Sequence, residues 1–156
     1  MAPEISAALV ERYNKPGPRY TSYPTVPSWR RSFGPAQYEA ALRELATGDD
    51  ELALYLHLPF CASHCHYCGC NALVAREPDA VDAYLDRIER ELDLVTGLIG
   101  RRRRALALHW GGGTPNFLGR PQIERALGLF RQAFTLAPGA EISLEIDPRV
   151  GSPEQA

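Results

Sequence analysis

The stretch ELALYLHLPFCASHCHYCGCN, residues 51–71, decides the fold, because it runs an apolar segment straight into four clustered cysteines. Glu51 to Leu58 is apolar or alternating, as a strand is, and Pro59 ends it. Cys61, Cys65, Cys68 and Cys70 follow within one loop. Cysteine pairs spread through a secreted chain suggest disulfides, whereas a cluster this tight points to a metal. The spacing is Cys-x3-Cys-x2-Cys, then x-Cys. A structural zinc site normally draws its four ligands from two knuckles, and no second Cys or His pair stands elsewhere, although His64 and His66 inside the loop could complete one. Three thiolates on one loop more commonly hold an iron-sulfur cluster with one iron open to a substrate.

Outward from this loop the pattern repeats. Upstream, Pro35 to Ala46 reads as a helix with Tyr38, Ala41, Leu42 and Leu45 on one face and Gly48 as its stop. Downstream, Val81, Tyr84, Leu85, Ile88, Leu92, Val95 and Ile99 recur every three or four residues, an amphipathic helix opening at Pro78. Ala105 to Trp110 is a short, nearly all-apolar strand of the kind buried on both faces of a parallel sheet, and Gly111 to Pro115 breaks it. A third helix opens at Pro121 with Ile123, Ala126, Leu127 and Phe130 on one face. A third strand runs from Glu141 to Ile146 and stops at Asp147-Pro148. Three alternations of helix and strand predict right-handed crossovers and a parallel α/β sheet. The cysteine loop then leaves the C-terminal end of a strand, the face where such folds place their chemistry.

Composition excludes several alternatives. With 156 residues and 45% hydrophobic content the chain can bury a core, so disorder is not expected. A net charge of −2 gives no electrostatic reason to expect nucleic acid or an anionic membrane as the main partner. No apolar run approaches the roughly 20 residues of a membrane span, so a cytoplasmic protein is expected. Residues 15–35 hold five prolines and no apolar period, an extended N-terminal segment.

CxxxCxxC after a first strand resembles the radical S-adenosylmethionine (SAM) superfamily. RYTSYPT at 19–25, YLHLPFC at 55–61, CxxxCxYCGCN at 61–71, HWGGGTP at 109–115 and SLEIDPR at 143–149 closely resemble the oxygen-independent coproporphyrinogen III oxidases. The resemblance runs from Arg19 to Arg149. It implies an N-terminal extension over residues 1–50, followed over 51–156 by the first three β/α units of a partial TIM barrel. A six-unit barrel needs more strands than these, so the chain is expected to be an N-terminal fragment, marginally stable and inactive by itself, with its third strand an open edge.

The family's chemistry implies roles for particular residues. Cys61, Cys65 and Cys68 would hold one 4Fe-4S cluster, whose fourth iron binds SAM. Cys70 is then not a ligand, being either a packed loop residue or a thiol facing a pocket. Gly112 and Tyr55 would contact the SAM on the cluster, and Gly113, Thr114 and Tyr67 a second SAM. Glu145, on the same strand face as Ser143 and Asp147, would find its partner in SAM. The implied reaction decarboxylates two propionates of coproporphyrinogen III to vinyl groups, with a low-potential electron donor and a monomeric full-length enzyme. A heme-binding relative without this activity and a zinc-binding module are the competing readings. His57 and His109 read as hydrogen-bonded structural residues. Arg101 to Arg104 read as a solvated basic helix end on the face away from the cysteines. Arg149 lies on the cysteine side and could bind a carboxylate; Arg19, Arg30 and Arg31 are undecided.

Overall fold

The structure, a computed structural model, describes residues 6–15, 28–30, 32–74, 78–99 and 102–152. The string RYTSYPT and Arg19, Arg31 and Arg101 lie outside the described residues. The chain forms two compact units, Met1–Gly34 and Pro35–Ala156. In the first, α1 (Ala7–Tyr13) is a short helix that the sequence pattern did not predict, started by Ser6, whose hydroxyl accepts the Leu9 N–H at 3.2 Å.

The second unit alternates helix and strand as the periodicity predicts. Its helices are α2 (Pro35–Leu45), α3 (Pro78–Ile99) and α4 (Arg120–Ala133). Each has proline in its first turn, where the missing N–H would have had no helical partner. The strands β1 (Leu52–Leu58), β4 (Arg104–Gly112) and β5 (Thr135–Leu144) form a parallel sheet in the order β1-β4-β5. Leu56, Leu58, Leu108 and Trp110 project from it into a core completed by Val81, Leu85 and Phe130 from the helices. Two short strands, β2 (Phe60–Cys61) and β3 (Leu73–Val74), pair in parallel at the two ends of the cysteine loop. Runs of two residues carry no readable period, and the sequence pattern placed neither.

Three expectations need correction. The second strand runs on through Gly111 and Gly112 instead of breaking there, because Gly111 and Gly112 pair with His57 and Leu58. Nor is it buried on both faces, since Leu106 is exposed and His109, between the buried Leu108 and Trp110, is only half-buried. The third strand begins at Thr135, not Glu141, and absorbs Pro138-Gly139 as a bulge, with four residues (137–140) set against Leu106 alone. It ends at Leu144, so Glu145 stands just past the strand, although its N–H still reaches the Trp110 carbonyl at 3.0 Å.

The arginine run departs most from expectation. Its described members do lie at the N-terminal end of β4, away from the cysteines, with Arg102 and Arg104 exposed as expected, but Arg103 is not solvated. Arg103 is only 3% exposed and donates to the carbonyls of Leu45, Gly48 and Asp50, where α2 ends and turns toward β1. Arg102 does the same for α4, donating to the Arg131 and Phe134 carbonyls at 2.6 and 3.0 Å. Arg104 pairs with Glu51 at 2.9 Å. Helix C-termini leave carbonyls without helical partners, and these two guanidinium groups satisfy them. Arg103→Met keeps the stem and strands the acceptors. It is expected to cost about 2 kcal/mol of unfolding free energy, measured by urea denaturation. A loss within ~0.5 kcal/mol, the range of a plain surface change, would contradict this account.

Candidate functional site

The cysteine loop is sewn to the sheet at its base. Cys61 ends β2 and pairs with Val74, while the Leu73 N–H donates to the Pro59 carbonyl at 2.6 Å. Inside the loop a turn closes with the Cys68 N–H on the Cys65 carbonyl at 3.1 Å. The turn leaving β4 grips the same base: Gly113 N–H donates to Leu58 O, and Thr114 N–H to Phe60 O, both at 2.8 Å. The buried Thr114 hydroxyl lies 3.4 Å from the Cys61 sulfur. Two segments more than 50 residues apart are thus fixed against each other by backbone bonds.

Glycine is required twice in this turn. Gly112 has φ +117, and a Cβ there would fall 2.6 Å from the His57 ring. Gly113 has a different constraint: its Cβ would meet the Phe60 carbonyl oxygen at 2.8 Å and the Cys61 sulfur and Pro59 carbonyl carbon at 2.9 Å. The glycine string therefore lets the two loops touch, whatever else it binds.

A polar row crosses the face of the sheet opposite the core. Tyr55, His109 and Ser143 are register partners on adjacent strands. Tyr55 stacks on His109 with ring centroids 5.8 Å apart, and His109 Nδ1 lies 2.8 Å from the Ser143 hydroxyl. His57 Nε2 lies 2.8 Å from the Asn71 carbonyl, which can only accept, so Nε2 carries the hydrogen. In the neutral ring Nδ1 then accepts the Tyr55 hydroxyl at 3.1 Å. His57 and His109 thus make the structural hydrogen bonds expected of them. Glu145 Oε2 accepts the Gly112 N–H at 3.0 Å, and its Oε1 lies 3.6 Å from His109 Nε2. Burial, then the Glu145 charge, pushes the Tyr55 hydroxyl above its ordinary value.

A second polar chain descends from the turn after β4. Asn116, buried in a short 3₁₀ turn (Pro115–Phe117), bonds both backbone groups of Asp147, at 2.9 and 3.0 Å. The Asp147 carboxylate receives Nε and Nη2 of Arg149, the latter at 2.6 Å. Those hydrogen bonds hold its carboxyl down to about 2 and push the Arg149 guanidinium up. Arg149 Nη2 also lies 3.9 Å from the Cys65 sulfur. The sequence did not reveal Asn116, whose one sign is its place directly after the GGGTP turn.

All four cysteines are free thiols. They line a cavity of about 290 Å³ together with Gly112, Gly113, Thr114 and Glu145. Tyr67 borders it too, 91% exposed. Thus the residues picked from separate strings in the sequence converge on one place, with Tyr55 beside it through Glu145. Among the described residues no three His, Cys, Asp or Glu side chains are already drawn into a metal-holding arrangement. The donor chemistry nonetheless fits an iron-sulfur cluster: soft thiols on one loop, around a cavity that Gly69, Gly112 and Gly113 also line. Burial, then Cys68, pushes the Cys70 thiol above its ordinary value.

The parallel α/β sheet, with the cysteine loop leaving the C-terminal end of its first strand, matches the fold of a solved radical SAM enzyme. Coproporphyrinogen III oxidase from Escherichia coli, described as a radical SAM enzyme, matches 94% of this chain with a TM-score of 0.75 and 39% identity. Among relatives, the oxygen-independent coproporphyrinogen III oxidases of Synechocystis and E. coli are 42% and 43% identical over 93% and 91% of the chain. That of Mannheimia haemolytica is 38% identical over 90% of this chain and 94% of its own length. This chain belongs to the oxygen-independent coproporphyrinogen III oxidase family. It spans about 30% of the length of the Synechocystis and E. coli proteins. No family model matches it.

Proposed function

We propose that the chain supplies the cluster-holding part of an enzyme that converts coproporphyrinogen III to protoporphyrinogen IX without oxygen. The observation that carries this reading is the convergence of Cys61, Cys65 and Cys68 on one cavity with the glycine turn and Glu145. The three cysteines would hold one 4Fe-4S cluster. When bound, that cluster would supply the electron that cleaves SAM; the resulting carbon radical would take hydrogen from a propionate side chain, and loss of its carboxyl group as CO2, with one electron passing to an acceptor, would leave a vinyl group.

The chain's own residues position the reactants. Thr114 and Gly113 fix Cys61 against the sheet, so one thiolate is preset while Cys65 and Cys68 sit on the freer part of the loop. Glu145 accepts a backbone N–H at present and could accept the ammonium of SAM in the same place. Gly112, which lines the cavity beside Glu145, would border the SAM on the cluster. Tyr67, almost fully exposed at the cavity rim, offers a ring on which the adenine of a second SAM could stack. Tyr55 would border the first SAM, and Gly113 and Thr114 the second. The full enzyme would need a low-potential electron donor, act as a monomer and work in the cytoplasm, where thiols stay reduced. No helix among the described residues is long and apolar enough to cross a membrane.

The test is a chimera in which the 142 residues of the E. coli enzyme matched by this chain are replaced by this sequence. With SAM and a reductant under anaerobic conditions, it is expected to release CO2 from coproporphyrinogen III within about tenfold of the parent rate, a barrier change near 1.4 kcal/mol. A chimera that holds its cluster, binds stoichiometric heme and releases no CO2 would favour the heme-binding reading instead.

A further inference from the structure

We propose that Arg149 is a fixed cation that makes the cluster easier to reduce, anchored on Asp147 and held against Cys65. The inference rests on the reading that Cys65 is a cluster thiolate. Three observations support it. Arg149 Nη2 lies 3.9 Å from the Cys65 sulfur, although 84 residues separate the two. Its Nε and Nη2 are both taken by the Asp147 carboxylate, and its backbone N–H bonds the same carboxylate at 3.0 Å. Asp147 in turn cannot drift, because the buried Asn116 holds its backbone at two points. The guanidinium is therefore placed by the fold despite its exposure to solvent.

The carboxylate-binding role open in the sequence fits this geometry less well. Asp147 already occupies the Nε–Nη2 edge of the guanidinium, one of the two edges that can clasp a carboxylate in two parallel bonds. What reaches the thiolate sulfur is the Nη2 end of the Arg149–Asp147 pair, so the pair presents its positive end to it. One electron from a low-potential one-electron donor makes the cluster with its three thiolates more negative by one charge. A cation at a fixed distance favours the more negative state, which raises the reduction potential. Solvent weakens the effect without removing it.

The test is a spectroelectrochemical titration of the anaerobically reconstituted chain and of Arg149→Leu, Arg149→Lys and Arg149→Gln, with iron measured in each. Arg149→Leu is expected to keep its iron and to show about a tenfold smaller ratio of reduced to oxidised cluster at a given poise, 59 mV for a one-electron couple. Arg149→Lys is expected to recover most of that loss. Arg149→Gln, which keeps a polar side chain without the charge, is expected to match Arg149→Leu. An unchanged potential in Arg149→Leu at full iron content overturns the proposal, as does a lysine variant no better than leucine. Should Arg149→Leu lose its iron, a wild-type potential in Arg149→Gln overturns it. A wild-type chain that takes up no iron sinks the cluster reading itself, which the iron measurement reports separately.

Discussion

Replacing Cys61, Cys65 or Cys68 by serine is expected to abolish cluster binding, while Cys70→Ser retains it. The asymmetry follows from coordination. A cluster that must present one open iron to SAM can take three protein thiolates, and a fourth would close the position where SAM binds. Serine has nearly the shape of cysteine but is a hard oxygen donor that stays protonated at neutral pH, so one substitution removes a ligand and leaves the loop intact. Cys70 lines the same cavity, so proximity alone does not separate it from the other three. The distinction rests on the Cys-x3-Cys-x2-Cys spacing and the family resemblance. Iron content and visible absorption after anaerobic reconstitution give the result directly. Iron lost in the Cys70 variant but kept in one of the other three would reverse the assignment.

Gly113→Ala is expected to damage both fold and site. The added methyl would stand under 3.0 Å from three atoms, two of them in the Pro59–Phe60 backbone that begins β2. Backbone pinned by the Gly113 and Thr114 hydrogen bonds cannot swing aside as a side-chain tip can. Overpacking of this kind costs about 3 kcal/mol. The third atom is the Cys61 sulfur, so whatever yields moves a proposed ligand. Urea denaturation and iron uptake should therefore fail together. By contrast, a methyl on Gly128 of α4 meets nothing within 4 Å, and Gly128→Ala is expected to stabilise by about 0.5–1 kcal/mol. A Gly113→Ala chain as stable as wild type, with full iron uptake, would contradict the packing argument.

These contacts also explain what the sequence could and could not convey. The helix α3 was legible because its apolar period persists over 22 residues between clear ends. The site was legible because the short strings that compose it leave the C-terminal ends of neighbouring parallel strands, and such a sheet brings those ends together. The errors share one cause, which is that local signals do not report distant partners. Gly111 and Gly112 look like a break until β1 is seen alongside them. Pro138-Gly139 looks like the end of a loop, yet the strand on its far side stays in the sheet. Arg103 looks like any solvent-facing arginine, since its acceptors lie more than 50 residues upstream. The contact of Arg149 with Cys65 is hidden for the same reason, as is the support it draws from Asn116.

The central claim is that the loop holding Cys61, Cys65 and Cys68 binds an iron-sulfur cluster. The most direct measurement is anaerobic reconstitution of the chain with iron and sulfide, followed by metal analysis and a visible spectrum. The account predicts about four iron and about four sulfide per chain with broad absorption at roughly 400 nm. Zinc bound in place of iron, with no absorption in that region, would contradict it.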